Sequence, residues 1–201
     1  KGKDLKYAWF DVRVLTFENA AVNSALYFES PGGVWLKATK LMTSLRPFQR
    51  RKIKQENCYF DDTVLILRQN KCGLRIRLLN NKRAIVCLKE PAKFPSHNVK
   101  SYKVRKEWET PIPLRTARLI IAGKKSILSL RIKPIQVLKS RLSTEALKEI
   151  HYIGSLKNVR TIAESPDALE WEIDKFKIFK KRFYELEVET ENPKESDRIV
   201  K

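Results

Sequence analysis

Apolar and polar residues alternate along much of this chain. In segment 73–79 three apolar residues alternate with Arg75 and Arg77, and segment 83–89 is a second short apolar run. Successive side chains of a strand point to opposite faces, so this alternation predicts strands with one apolar face. Residues 80–82, Asn-Asn-Lys, are typical of a hairpin connection. The two segments therefore predict a β-hairpin.

Strands are predicted to be more numerous than helices. Further strand-like runs lie at 57–62, 99–109, 126–135, 169–176 and 183–190. Helical spacing of apolar residues predicts helices at 34–45, after a Ser-Pro-Gly-Gly start, and at 114–122. A third helix is predicted over 143–150, where Ser143 suits the N-cap position. The predicted fold class is α+β, with the strands carrying the chemistry.

Length and composition exclude several classes of protein. The 201 residues suit one domain, or one domain with an arm. No run of the sequence approaches the roughly 18 apolar residues of a membrane-spanning helix. Three cysteines without CxxC spacing encode neither a disulfide framework nor a zinc site. The two histidines, His97 and His151, are too far apart for a local metal motif, so Cys-His or Ser-His catalysis is not indicated.

Net charge points to a polyanionic partner. The chain has 42 Lys and Arg against 23 Asp and Glu, a formal charge of +19. A surface this basic attracts nucleic acid, polyphosphate, nucleotides or anionic membrane. The first residue is Lys1 rather than a methionine. We therefore expect a chain trimmed at its start, for example by removal of a targeting presequence.

The basic residues are segregated from the acids. Segments 30–55, 63–89 and 110–144 contain no acid, whereas 164–197 holds 11 of the 23. Such segregation predicts a broad polyanion-binding surface, here assigned to RNA. The candidate RNA-binding residues are Lys37, Lys40, Arg46, Arg50, Arg51, Lys52, Lys54, Lys124 and Lys125. Nearby aromatic side chains suit base stacking, although core packing is the commoner use of such residues.

Some strands carry charges of one sign on one face. Segment 73–79 has paired arginines, whereas 169–174 and 184–190 have only carboxylates. Two interpretations are open. The charged faces of an antiparallel sheet can simply be solvated. Alternatively, they face a common interior, where carboxylates hold a divalent metal and arginines clamp phosphate oxygens. The second arrangement would suit phosphoryl transfer without a protein nucleophile.

These segments, taken in order, resemble the CYTH or triphosphate tunnel metalloenzyme family, and among its members the plant and bacterial-type tripolyphosphatases. The resemblance rests on YFDD, GLRIRL, IVCLKEP, RKEWE, NVR, LEWEIDKF and YELEVETENP, between residues 59 and 193. It implies an eight-stranded antiparallel β-tunnel flanked by helices, and hydrolysis or rearrangement of triphosphates with divalent metal, Mg or Mn. The implied phosphate-binding residues are Arg75, Arg77, Lys89 and Arg160. The implied acidic tunnel residues are Glu107, Glu109, Glu170, Glu172, Glu185 and Glu187.

The start of the chain departs from the family pattern. The family's first strand carries an ExExK signature that binds metal and phosphate. Segment 21–29 has Glu29 as its one acid, and segment 10–17 offers Asp11 and Arg13. Neither reproduces the signature, so we expect catalysis to be weakened or lost. The family also continues beyond its ELE strand with a helix and a basic strand, which the sequence to Lys201 does not show.

Two functions are predicted. The first is a non-catalytic CYTH-like module that binds RNA within a large ribonucleoprotein. An organellar complex such as a mitochondrial ribosome would combine the charge with the trimmed start, and mitochondria are favoured over plastids. The second is a metal-dependent triphosphatase acting on tripolyphosphate, a nucleoside triphosphate or RNA 5′-triphosphate. The predicted organisation is an extension with a degenerate first strand at 1–29 and a CYTH-like domain at 30–201.

Overall fold

Strands form most of the regular structure. The structure is a computed structural model and describes residues 9–14, 27–29, 35–37, 43–91, 105–164, 170–178 and 181–189. The strands are β1 (Trp9–Val14), β2 (Tyr27–Glu29), β3 (Trp35–Lys37), β4 (Gln49–Asp61), β5 (Gly73–Leu79), β6 (Arg83–Pro91), β7 (Arg105–Ile112), β8 (His151–Glu164), β9 (Glu170–Ile178) and β10 (Lys181–Glu189). The α-helices lying wholly within these ranges are α1 (Ile66–Gln69), α2 (Leu114–Ile121), α3 (Lys133–Lys139) and α4 (Thr144–Lys148).

The chain forms two compact units. The first contains Lys54–Ala92 and Arg105–Lys157, and the second contains Tyr7–Ile53 and Asn158–Lys201. In the first unit the strand order is β4-β5-β6-β7, and in the second it is β1-β10-β9-β8. Each unit thus has four antiparallel strands, eight in all, as predicted. Within each unit the described strands pair in an open series.

The apolar core of the first unit lies between its sheet and its helices. Leu74, Ile76 and Leu78 of β5 pack there with Ile120 of α2 and Ile135 of α3. Burying each such side chain contributes about 1.5–3 kcal/mol of stability. Because β5 alternates, Arg75 and Arg77 lie on the opposite face of the strand from this core. The core therefore fixes the orientation of both arginines.

Two local features have a backbone explanation: the turn between β5 and β6, and the start of α1. Asn80 and Asn81 both adopt positive φ, 50° and 54°, as the tight turn between β5 and β6 requires. Asp61, in the YFDD segment, is buried and accepts hydrogen bonds from the backbone N–H groups of Leu67 (2.9 Å) and Arg68 (3.1 Å). Asp61 therefore holds the first turn of α1.

Two element predictions are wrong. Segment 126–135, predicted as a strand, forms a 3-10 helix at Ile127–Ser129 and then the start of α3. Pro134 occupies the first turn of α3, where its missing N–H needs no partner, and Ile135 and Leu138 are buried at helical spacing. The helix predicted at 34–45 is wrong at its start, since Trp35–Lys37 pairs with Tyr27–Glu29 as a two-stranded sheet. Residues 43–45 are helical, and the stretch 38–42 lies outside the described residues.

Candidate functional site

Charged side chains from β5, β6 and β7 share one face of the sheet in the first unit. Gly73 pairs with Lys89 and Lys89 with Glu107, while Arg75 pairs with Cys87 and Cys87 with Glu109. Residues opposite each other across strands lie on the same face, and so do residues two apart along a strand. We call Arg75, Arg77, Lys89, Glu107 and Glu109 the charged face.

Glu107 is the most enclosed member of the charged face. Its side chain is 3% exposed, and one carboxylate oxygen lies 3.5 Å from Arg75 Nη2 and accepts a hydrogen bond from Cys87 Sγ at 2.5 Å. The other oxygen lies 3.6 Å from Lys89 Nζ. Glu107 of β7 therefore contacts Arg75 of β5 and both Cys87 and Lys89 of β6.

Arg77 and Glu109 form the second ion pair of this face. Arg77 Nη1 lies 3.5 Å from Glu109 Oε1, and Arg77 Nε donates to Asn57 Oδ1 at 3.4 Å. The Arg77 side chain is 11% exposed and that of Glu109 is 33% exposed. This pair is thus more open to solvent on its acidic side than the Glu107 cluster.

The charged face carries more positive than negative charge. Burial raises the pKa of the Cys87 thiol far above its usual range, so the thiol is neutral. Three cations against two carboxylates leave a net charge of 3 − 2 = +1. An anion bound here would meet half-buried cations in a medium where charges interact more strongly than in water.

Oxygen ligands for a divalent cation are present on the same face. Ligand atoms of Cys87, Glu107 and Glu109 lie within 4.8 Å of one another. A protonated thiol is a poor ligand for Mg²⁺ or Mn²⁺, which prefer oxygen. Mg²⁺ is commonly bound by one or two carboxylates together with phosphate oxygens of a substrate. Glu107 and Glu109 fit that arrangement.

Arg160 of β8 forms a separate cluster in the second unit. Its guanidinium makes a bidentate pair with Asp174, from Nε at 2.8 Å and from Nη2 at 2.6 Å, and its Nη1 contacts Glu172. All three residues are buried. Arg160 was predicted to bind phosphate, and in the structure it forms ion pairs with two carboxylates of β9.

Backbone register aligns the remaining predicted acids of the second unit. Glu185 of β10 pairs with Asp174, and Glu187 pairs with Glu172. Glu170 lies at the exposed start of β9, opposite Glu164. The structure thus brings Glu172, Glu185 and Glu187 into neighbouring register positions and leaves Glu170 at the end of the strand.

The first strand that the sequence suggested is present as β1. Asp11 pairs with Glu187 and Arg13 with Glu185. Of the two candidate segments, 10–17 is therefore the one that contains the strand beside β10. Asp11 and Arg13 occupy alternate positions of β1, so they share one face of the strand.

The predicted RNA-binding residues are exposed wherever the structure describes their side chains. Lys37 lies in β3, where side chains are not described, and Lys40 lies outside the described residues. The exposed ones are Arg46, Arg50, Arg51, Lys52, Lys54, Lys124 and Lys125. Within the described ranges, Arg50 has an ion pair, at 3.4 Å from Glu164.

Sequence reasoning missed three residues that contact the candidate sites. Cys87 contacts Glu107, and Asn57 contacts Arg77. Asp174 pairs with Arg160. Cys87 is two residues before Lys89, so the period of a strand already places both on one face. Asp174 is likewise two residues after Glu172. Asn57 carried no signal, because its contact depends on the pairing of β4 with β5.

Residues 36–201 match the CYTH domain family. The chain therefore belongs to this family, as the sequence predicted. No curated protein is significantly similar to the chain in sequence.

Solved structures with the same fold agree with this assignment. HpAC1 from Hippeastrum, described as a candidate adenylyl cyclase with a dominant triphosphatase activity, is 21% identical, with a TM-score of 0.68 over 96% of this chain and 84% of its own. A candidate adenylate cyclase from Bacillus halodurans is 17% identical, with a TM-score of 0.63 over 81% and 78%. One from Vibrio parahaemolyticus is 11% identical, with a TM-score of 0.51 over 98% and 84%. At these identities the likeness shows the fold.

In the part of the chain that the structure describes, helices are too short or too polar to cross a membrane. The fold is related to that of triphosphatases.

Proposed function

We propose that this CYTH protein binds triphosphate compounds on the charged face and hydrolyses them with the help of a divalent cation, Mg²⁺ or Mn²⁺. The observation that carries the proposal is the convergence of Arg75, Arg77 and Lys89 with two carboxylates on one face of β5, β6 and β7. The triphosphatase activity described for HpAC1 supports it by analogy of fold.

The cations of the charged face suit phosphate recognition. Arg75 and Arg77 present planar guanidinium groups that can bind two phosphate oxygens each, and Lys89 adds a point charge. Both arginines are held by the carboxylates of β7, so little side-chain entropy would be lost on binding. A triphosphate would supply the negative charge that this face lacks.

Hydrolysis would need no nucleophile from the protein. A water oxygen would bond to the terminal phosphorus while the bridging P–O bond breaks, yielding phosphate and diphosphate and releasing a proton to solvent. Glu107 and Glu109 would hold the divalent cation, which supplies charge neutralisation when bound. Arg75, Arg77 and Lys89 would hold the chain of phosphates in place and stabilise the charge on the leaving diphosphate.

The test combines calorimetric binding of tripolyphosphate with phosphate release in Mg²⁺ or Mn²⁺. We expect binding and metal-dependent release, both reduced at least tenfold by Arg77→Ala. Arg68→Ala is the matched control, because Arg68 lies in α1 and is exposed. Binding without release would overturn the triphosphatase and leave a non-catalytic triphosphate-binding module, as the missing ExExK signature predicts. No binding would overturn the proposal as a whole.

We also propose a second function, binding of RNA, in which the protein would be a subunit of an organellar ribonucleoprotein, for example in mitochondria. The supporting observation is the exposure of Arg46, Arg50, Arg51 and Lys52 within one short segment. Retention on immobilised RNA that falls steeply between about 50 and 200 mM salt is the expected result. Retention that is absent or insensitive to salt would overturn RNA binding, and a purely cytosolic signal of the tagged full-length protein would overturn the organellar setting.

A further inference from the structure

The helices of the first unit present a continuous series of basic residues. Segment 110–144 contains no acid, and all of its basic side chains are exposed. We call these the helical basic surface: Arg115, Arg118, Lys124, Lys125, Arg131, Lys133, Lys139 and Arg141. Eight cations with no acid in this segment favour an anionic partner.

Helix packing explains why these residues point to solvent. Ala117 and Ile120 of α2 are buried, whereas Arg115 and Arg118, three residues apart, are exposed together. In α3, Ile135 is buried against the sheet and Lys139, four residues on, lies in the last turn and is exposed. The apolar stripe of each helix is used by the core, so the basic side chains cover the outside.

Most of the helical basic surface is not engaged within the protein. Arg141 Nε lies 3.4 Å from Glu90 Oε2, and Lys133 Nζ lies 5.3 Å from the centre of the Trp108 ring. The other six residues form no ion pair with any side chain that the structure describes. Their charges are therefore available to an external anion.

This surface is separate from the charged face. The helices pack on the side of β5 that carries Leu74, Ile76 and Leu78, whereas Arg75 and Arg77 project from the other side of the same strand. A triphosphate bound to the charged face would not neutralise the helical basic surface. The excess charge on the helices is thus available to another partner.

We propose that the helical basic surface is the docking site for the phosphate backbone of RNA. The inference rests on the proposed RNA binding and assigns its location. Charge complementarity favours a polyanion with many regularly spaced phosphates. An anionic membrane fits less well, because adsorption also needs apolar residues to insert. Among described large apolar side chains, only Leu119 is exposed in this segment.

The experiment measures binding of a short single-stranded RNA by fluorescence anisotropy at several salt concentrations. The test variant is Arg115→Gln/Arg118→Gln/Lys124→Gln/Lys125→Gln, which removes four charges without changing buried residues. The matched control is Arg68→Gln/Lys71→Gln/Lys82→Gln/Arg83→Gln, which removes four exposed charges elsewhere in the first unit. A third variant, Arg50→Gln/Arg51→Gln/Lys52→Gln, tests the basic segment of β4.

We expect that RNA binding is at least tenfold weaker in the helical variant. The slope of log affinity against log salt should also decrease by up to about 3, because each lost single-strand phosphate contact removes about 0.7. The control substitutions should change the affinity and the slope by much less.

Equal losses in all variants, or a loss confined to the β4 variant, would overturn this location while RNA binding itself stands. Absence of RNA binding in the unmodified protein would overturn the underlying proposal. Tighter binding to phosphatidylserine vesicles than to RNA would assign the surface to membranes and overturn it. Unchanged melting temperatures exclude misfolding as the cause.

Discussion

Arg160 and Asp174 form a buried bidentate ion pair between β8 and β9, with N–O distances of 2.8 and 2.6 Å. Glu172 contacts the same guanidinium. The Arg160 guanidinium therefore contacts two buried carboxylates, and the cluster joins neighbouring strands of the second unit.

Removal of this cation should destabilise the protein strongly. In Arg160→Ala the buried Asp174 carboxylate loses its bidentate ion pair, and breaking a buried pair in this way typically costs about 3–5 kcal/mol. Arg160→Lys keeps the charge but not the bidentate geometry and should cost less. Urea denaturation of the unmodified protein and of the two variants measures the free energy of unfolding. A stable Arg160→Ala variant with weakened tripolyphosphate binding would instead favour the phosphate-binding role that the family resemblance implies.

Glu107→Gln should separate phosphate binding from metal-dependent turnover. The change removes one negative charge next to Arg75 and Lys89, so metal-free affinity for tripolyphosphate should rise severalfold. The same change removes a carboxylate ligand, so phosphate release in Mg²⁺ should fall at least tenfold.

Glu56→Gln is the control for this experiment. Glu56 pairs with Lys157, at 3.9 Å, and lies on the face of β4 opposite to Asn57, which contacts Arg77. Neither affinity nor turnover should change in this variant. If Glu107→Gln lowers metal-free affinity, the positive charge of the face is not what attracts the triphosphate.

Stability should decrease at alkaline pH, and the buried thiol of Cys58 should contribute to this decrease together with that of Cys87. Burial, followed by the nearby charge of Glu56, raises the pKa of the Cys58 thiol from 9.0 to about 11. The unfolded thiol then loses its proton at a lower pH than the folded one, so stability is intact below about pH 9 and is lost as pH rises toward 11. The loss attributable to this thiol is about 2–3 kcal/mol.

Denaturation at several alkaline pH values measures the effect. Cys58→Ala should lower stability at neutral pH through the cavity it leaves, but its stability should fall less between pH 9 and 11. The same steep fall in both proteins would show that other groups cause it.

Gly123 should be required for the turn that ends α2. Its φ is +70°, a region that costs other L-residues about 1 kcal/mol. Its N–H donates to the Ile120 carbonyl at 3.0 Å, and Lys124 and Lys125 follow directly. Gly123→Ala should therefore lower the free energy of unfolding by about 1 kcal/mol and weaken RNA binding slightly.

Gly73→Ala is the matched control, because a β-carbon added to Gly73 would have no neighbouring atom within 4 Å, and the φ of this residue is not positive. The substitution should be neutral or slightly stabilising. Equal effects of the two substitutions would show that backbone conformation at Gly123 is not the cause.

Local patterns predicted the elements well where one face of a strand is apolar. Arg75 and Arg77 alternate with core residues, and the Asn80–Asn81 turn has a strong sequence signal, so the β5–β6 hairpin was predictable. The helix at 114–122 and the N-cap at Ser143 were also predicted correctly. Segment 126–135 was not, because its short apolar runs fit a strand as well as a buried helix.

Contacts between distant strands were beyond local patterns. Cys87 meets Glu107 because of the pairing of β6 with β7, and Arg160 meets Asp174 because of the pairing of β8 with β9. The family resemblance supplied the residues of the site but not their partners. It therefore did not show that Arg160 is engaged by carboxylates.

The alternation of β5 has a consequence for folding and binding. Its odd and even positions serve different surfaces, so a slip of one residue in the pairing with β6 would place arginines in the apolar core and leucines on the charged face. The binding surface and the native strand register must therefore form together. A partly folded chain with mispaired strands would not bind a triphosphate, and triphosphate binding would select the correctly paired chain.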